Sequence, residues 1–385
     1  MPFFPLQFGF ATRVAVFYVA ICGVIGVQLP FFPLWLKAKG LDPQMIGIVL
    51  AVPMVVRIAA IPVAARIADR LDALRSVILI CTAASAVGYA LLGFAEGAAA
   101  ILAAFALASA TNTPVMPLAE TYSLKGLAAR KRAYGPVRLW GSAAFVVGTF
   151  TAGVAADIMP ARNLIWLIVA AVLLNVVAAH ALEPLSVPHA AEPQTPRKLI
   201  RDPAFIAVLA AASLIQSSHA VYYGFSTLDW SRAGLDGTAI AALWALGVIA
   251  EIVLFALQGR LPAAISPNVL LIIGGCGAAL RWLAMAFDPS VLLLPWLQVL
   301  HGLTFGATHL GALGLVALRA PAGKGATAQG HLAIALGLAM AASMSLSGWL
   351  YAAYGNRAYA AMALIAAAGG VCAFVANKLR RRPAV

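Results

Sequence analysis

Long apolar runs separated by short polar breaks set the pattern of this chain. Twelve mostly apolar stretches stand at residues 14–36, 44–64, 75–95, 98–124, 135–157, 163–182, 204–227, 237–258, 268–287, 291–318, 327–350 and 357–377. About 20 such residues in helical form cross the hydrocarbon core of a bilayer. The breaks carry charge, Gly or Pro, as in Lys37 to Pro43, Arg66 to Leu74, Arg130 to Arg132 and Arg319 to Ala326. One polar stretch is long: residues 183–203, with five prolines, read as a linker. The pattern predicts an all-α, polytopic membrane protein of 12 transmembrane helices in two pseudo-symmetric halves. The halves are a six-helix bundle over residues 1–182 and another over 204–385, joined by a cytoplasmic linker over 183–203.

Composition agrees with lipid as the solvent. Hydrophobic residues make up 63% of the 385 and charged residues 10%, against about 45–50% apolar and about 25% charged in soluble domains. The net charge of +13 raises the question of nucleic acid, but its distribution answers otherwise. With both termini cytoplasmic, the cytoplasmic side collects Arg13, Arg66, Arg70, Arg75, Lys125, Arg130, Lys131, Arg132, Arg138, Arg197, Lys198, Arg201, Arg260, Arg319, Lys324, Lys378, Arg380, Arg381 and Arg382. Only Lys37, Lys39, Arg162, Arg232 and Arg357 fall outside. This asymmetry sets the topology and directs the charge at the anionic inner leaflet, not at nucleic acid. Cys22, Cys81, Cys276 and Cys372 lie in apolar runs without metal-like spacing and read as buried free thiols. The segment Met1 to Thr12 lacks a charged n-region and a cleavage site, so no removable signal peptide is expected.

The halves repeat. Lys37-Ala38-Lys39-Gly40-Leu41-Asp42 aligns with Ser231-Arg232-Ala233-Gly234-Leu235-Asp236, and the same offset places Arg57 on Glu251 and Arg66 on Arg260. Internal repeats of this kind mark secondary transporters. Charged groups inside spans are costly and so stand as functional candidates. Arg57 and Glu251 share a depth of about 20 Å at 1.5 Å per residue and oppose in sign. Either a pair across the halves or a purely structural pin explains them. Glu120 follows Asn112-Thr113-Pro114-Val115-Met116-Pro117, whose prolines free backbone carbonyls, and Arg138 opens the next span within Tyr134-Gly135-Pro136-Val137-Arg138. Arg281 and His301 stand on consecutive spans. His301 suits either a satisfied core position or proton coupling, since imidazole titrates near neutrality. Tyr222, Tyr223, Phe225 and Trp244 offer an aromatic wall or ordinary packing.

These residues carry a family resemblance. The two parallel halves resemble the major facilitator superfamily, and Ala65-Arg66-Ile67-Ala68-Asp69-Arg70-Leu71 resembles its loop between helices two and three, without the usual leading glycine. This marks Asp69 and Arg70 as a gating loop. The Glu120–Arg138 and Arg281–His301 spacings resemble the lactose permease family, which implies substrate contacts for the first pair and substrate and proton roles for the second. Its proton-carrying glutamate, three residues past the histidine, is Thr304 here. Nearly the whole chain resembles the phenylpropionate permease family. The blocks are Leu29-Pro30-Phe31-Phe32-Pro33-Leu34-Trp35-Leu36-Lys37, Pro117-Leu118-Ala119-Glu120, Tyr134 to Ser142, His219-Ala220-Val221-Tyr222-Tyr223-Gly224-Phe225-Ser226 and Leu246-Gly247-Val248-Ile249-Ala250-Glu251.

The expectation is a proton-coupled symporter of a small organic acid, such as an aromatic acid, in a bacterial inner membrane. Arg57, Glu120, Arg138, Tyr222, Tyr223 and Arg281 are expected to bind substrate, and Glu251, Glu120 and His301 to couple protons. The rivals are a neutral nucleoside or sugar as substrate, efflux, and a non-transporting scaffold or assembly factor. No zinc-protease, phosphate-loop or nucleophile–base motif points to an enzyme. The expected partners are a small solute and the bilayer. No metal or cofactor is expected beyond the proton gradient. Oligomeric state is left open, a monomer fitting the resemblance.

Overall fold

In lipid a backbone has no water to satisfy its N–H and C=O groups, so apolar spans close their hydrogen bonds internally as helices. The computed structural model describes residues 9–185, 199–262, 264–320 and 325–380, and among the described residues every regular element is helical. The α-helices are α1 (Phe10–Ala38), α2 (Pro43–Arg70), α3 (Leu74–Phe94), α4 (Ala98–Asn112), α5 (Val115–Ala129), α6 (Tyr134–Ile158) and α7 (Leu164–His180). They continue as α8 (Pro203–Ser217), α9 (Ala220–Arg232), α10 (Gly237–Leu257), α11 (Pro267–Met285), α12 (Leu294–Val299), α13 (Thr308–Arg319), α14 (Gly325–Tyr354) and α15 (Ala358–Arg380). Eleven helical segments among the described residues are long and apolar enough to cross a membrane. The last of them, Thr327–Leu379, runs 53 residues and turns at Gly355–Arg357 into α14 and α15, each long enough for one crossing. That division is consistent with twelve crossings. Arg197, Lys198, Lys324, Arg381 and Arg382, and most of the expected linker, lie outside the described residues.

Three expected spans are interrupted. Residues 98–124 divide into α4 and α5 at Thr113 and Pro114, where proline lacks the N–H that would continue the ladder. Residues 204–227 divide into α8 and α9 with no proline present. There the Ser218 hydroxyl donates to Ile215 O at 2.6 Å, and the His219 ring meets the Ile215 and Gln216 carbonyls at 3.2 and 3.1 Å. Polar side chains thus compete for the backbone partners. Residues 291–318 divide into α12 and α13 around a π-helical turn, Gly302–Ala307, a feature frequent at functional sites.

Two compact units divide the chain. The first comprises Met1–Gly40, Val56–Ala190 and Asp236–Ala241, and the second Leu41–Val55, Ala191–Leu235 and Ala242–Val385. In the first, α1 packs on α6 and α7 while α3 packs on α4 and α7. Gly26 lets α1 touch α6: a Cβ there would sit 2.2 Å from Phe145 O, and the Thr149 hydroxyl donates to Gly26 O at 3.1 Å. Phe10, Phe17, Tyr18, Ile21 and Tyr122 fill the core. At one end Glu183 pairs with Arg13 at 3.4 Å and Arg130 at 3.2 Å. In the second unit α15 packs on α8 and α11, and α13 packs on α11. A Cβ on Gly275 would lie 2.8 Å from Gly370 Cα, so the α11–α15 contact runs backbone to backbone.

Candidate functional site

The second unit buries a cation without an acid partner. Arg281, on α11, is fully buried. Its Nη1 donates to His301 Nδ1 at 3.1 Å and to Thr304 Oγ1 at 3.2 Å, and its Nη2 donates to Gln298 Oε1 at 2.8 Å. All three partners are neutral, and among the described residues no carboxylate reaches ion-pair distance of Arg281. The guanidinium carbon lies 4.9 Å from the Tyr222 ring centre and 4.6 Å from that of Trp282. Cation–π attraction offsets part of its desolvation, which costs several kcal/mol for an ion taken from water.

The hydrogen positions follow from what each group can do. Arginine only donates, so His301 Nδ1 accepts and its proton sits on Nε2. His219 Nδ1 faces only carbonyl oxygens and therefore donates, leaving its Nε2, 3.2 Å from Thr304 Oγ1, as an acceptor. Thr304 takes a hydrogen bond from Arg281 and passes its own to His219. The relay ends on α8 carbonyls with both imidazoles neutral. A proton coupled through His301 has to displace Arg281 from Nδ1 first.

Aromatic rings wall the cluster. Tyr222 stands 4.6 Å from Trp244 and 5.9 Å from Trp282, and Trp282 stacks on Tyr359 at 5.7 Å. The Trp244 and Trp282 indole N–H groups are satisfied by Thr227 and Ser218, so the rings are held in place. Among the described residues two buried donors have no partner, Arg281 Nε and Gln298 Nε2, and so does one acceptor, Gln216 Oε1. Unsatisfied groups of this kind are rare in folded proteins, and these fit a ligand that brings acceptor oxygens. Glu251, half-buried on α10, lies nearby. Its Cγ is 3.4 Å from the position a Cβ would take on Gly306, and its charge reaches Tyr223.

The first unit gathers a second polar group. Arg138, half-buried on α6, lies 3.8 Å from Cys22 Sγ and 5.4 Å from the Tyr18 ring centre. The Tyr18 and Tyr134 hydroxyls meet at 3.1 Å. Glu120 feels the Arg138 charge without closing to ion-pair distance. Arg57 is half-buried on α2 in this unit, whereas Asp69 and Arg70 are exposed at the end of the same helix.

The structure thus joins Arg281, His301, Tyr222 and Tyr223 in one unit, and Glu120 with Arg138 in the other. Sequence reasoning assigned no role to Gln298, His219, Trp282 or Tyr359, and noted Thr304 only as a missing glutamate. A signal existed for Gln298, a polar residue one helical turn before His301 in an apolar run.

A profile of the MFS_1 like family matches residues 11–361. The chain belongs to this family. It is 31% identical over 354 residues to the "Probable 3-phenylpropionic acid transporter" of Escherichia coli (strain K12), covering 89% of this chain and 91% of that one. It is 26% identical over 312 residues to the "Maltose permease" of Geobacillus stearothermophilus, covering 78% of each. Among solved structures it matches the nucleoside transporter NupG with a TM-score of 0.82 at 14% identity, over 98% of this chain and all of that one. It also matches a bacterial homolog of the human lysosomal transporter Spinster, inward-facing and unoccupied, with a TM-score of 0.73 at 13% identity and 96% coverage of each. These structures share the fold of major facilitator transporters. The chain is accordingly a multi-pass membrane transporter of that superfamily.

Proposed function

We propose that this transporter carries a small aromatic carboxylate across the bacterial inner membrane together with protons, by alternating access, with Arg281 as the anion-holding group. One observation carries the reading: a fully buried arginine, held only by neutral groups and walled by aromatic rings, keeps its Nε without a partner beside the bare Gln298 Nε2. A carboxylate has acceptor oxygens for both donors and the charge that Arg281 lacks, and charge-assisted bonds of this type are the strong ones. The substrate's ring would pack on Tyr222 and Trp244. His301 and Thr304 fix the guanidinium, and Glu251, whose side chain borders the same π-helical turn, takes the proton. The likeness to a probable 3-phenylpropionic acid transporter supports the substrate class.

The test is a thermal-shift screen of the purified protein against phenylpropionate, benzoate, aliphatic acids, maltose and nucleosides, repeated with Arg281→Met. Stabilisation by aromatic acids that disappears in the variant is the expected result. Stabilisation by maltose or nucleosides alone, unchanged in the variant, overturns it in favour of a neutral substrate. Uptake into proteoliposomes under an imposed pH gradient then reads the direction and the coupling.

A further inference from the structure

The geometry assigns a proton-binding site to Asp229, on a polar cavity in the second unit, with Asn356 as the acceptor that its proton serves. Its role in transport rests on the proton-coupled reading above, whereas proton binding itself does not.

A cavity of about 370 Å³ is lined by Asp229, Arg232, Asp288, Tyr354, Asn356 and Arg357. The Asp229 side chain is nine-tenths buried. Its Oδ1 is engaged, accepting from the Tyr351 hydroxyl and, at 3.5 Å, from Arg232 Nη1. Its Oδ2 has no partner among the described residues. Asn356 donates its Nδ2 to the Asp288 carboxylate, which fixes the amide and leaves Oδ1 as an acceptor, likewise buried without a partner. Two bare acceptors on one cavity lack a single hydrogen. An amide oxygen does not take it up in this pH range; a carboxylate oxygen does, and then donates to its neighbour directly or through a cavity water. A divalent metal fits less well. Among the described residues no group of three His, Cys, Asp or Glu could hold one, and Arg232 and Arg357 already balance the two carboxylates of the lining.

The surroundings connect this site to the arginine cage. Arg232 faces Asp229 from its own helix, Tyr351 from α14, Asp288 and Arg357 from the adjoining turns, and Tyr359 from α15. The Tyr359 hydroxyl is buried without a partner, stacks on Trp282, and lies within electrostatic reach of Asp229, Tyr222 and Arg281. A proton delivered from cavity water to Oδ2 neutralises Asp229, weakens its hold on Tyr351 and Arg232, and removes a negative charge from the neighbourhood of Arg281. A carboxylate at Arg281 then binds more tightly, and by linkage a bound carboxylate raises the affinity of Asp229 for its proton. With both termini cytoplasmic the cavity faces outward, where symported protons enter.

The test is infrared difference titration of the purified, substrate-free protein. A protonated-carboxyl stretch should grow as the pH is lowered, vanish in Asp229→Asn, and shift its midpoint by about half a pH unit or more in Asn356→Ala and Tyr351→Phe. These two variants keep the carboxylate and carry the test if Asp229→Asn fails to fold. In proteoliposomes Asp229→Asn should exchange phenylpropionate yet lose pH-driven accumulation about tenfold or more. A band unchanged in all three variants overturns the site, as does a band that responds to sodium in place of pH. Proton-driven uptake unaffected in Asp229→Asn overturns the site's role while leaving the transport reading intact. A band that disappears in Asp229→Asn in a protein that moves no aromatic acid does the reverse.

Discussion

Arg281 Nη1 lies 3.1 Å from His301 Nδ1, and because arginine can only donate, this one contact fixes the tautomer of the histidine. On the proposed function His301 positions the guanidinium. His301→Ala is expected to lower the affinity for an aromatic acid about tenfold, the worth of one hydrogen bond to a charged group. The pH profile of transport should stay unchanged. Calorimetric binding and pH-dependent uptake measure the two separately, and a flattened pH profile would return the proton role to the imidazole.

Arg281 itself separates function from folding. A buried cation without a counter-charge costs several kcal/mol in desolvation, more than hydrogen bonds to neutral groups return, and an apolar side chain of similar volume removes that cost. Arg281→Met is therefore expected to keep or raise the melting temperature while abolishing binding of aromatic acids. Arg281→Lys keeps the charge but loses the planar fork that serves His301, Thr304 and Gln298 together, and should weaken binding about 100-fold. Scanning fluorimetry with and without ligand checks both. A collapse of stability in Arg281→Met would instead mark a structural ion.

The aromatic wall gives a selectivity prediction. Trp244 lies 4.6 Å from Tyr222 with its N–H spent on Thr227. Trp244→Leu should weaken phenylpropionate more than a short aliphatic acid, by about 1 kcal/mol for the lost ring contact. Competition binding with the two acids decides it.

Close helix contact in the first unit predicts a contrast between two glycines. Gly26→Ala would drive a Cβ to 2.2 Å from Phe145 O, backbone that cannot swing away, and should destabilise by about 1–3 kcal/mol. Gly135→Ala, three residues before Arg138, meets nothing within 4 Å and should leave the melting temperature unchanged. Thermal unfolding in detergent compares them.

Acid sensitivity should reside partly in the turn after α3. Lys39 Nζ donates to Glu96 Oε1 at 2.5 Å, and this bond holds the Glu96 carboxyl below its ordinary range, with Arg162 adding a weaker pull. A carboxylate whose folded pKa is depressed stabilises above its unfolded pKa and loses that contribution as the pH falls through the folded one. Glu96→Gln should therefore reduce the drop in melting temperature below about pH 4.5. An identical drop in both proteins would show that the pair contributes nothing.

The linear order of residues determined much of this protein. Spans, breaks and the bias of basic residues follow from local composition, because lipid imposes helix on any long apolar run. The carbonyls freed at Pro114 and Pro117 were legible, because proline acts locally, but the break they make in the span 98–124 was not. The candidate polar residues were also legible, since an Arg, Glu or His within an apolar span stands out by its cost. The break at Ser218 was not, because it depends on which way the Ser218 and His219 side chains turn. Nor was the company that Arg281 keeps. Gln298, Thr304 and His219 are 17, 23 and 62 positions away from it in the chain, and their meeting depends on the rotation of each helix about its axis. That rotation is set by backbone approach at small residues, such as Gly275 against Gly370. Asp229 and Tyr351, 122 positions apart, meet for the same reason. Periodicity reports which face of a helix is apolar. Only packing among helices decides which polar groups face one another, and so which buried donors and acceptors are left for a ligand or a proton.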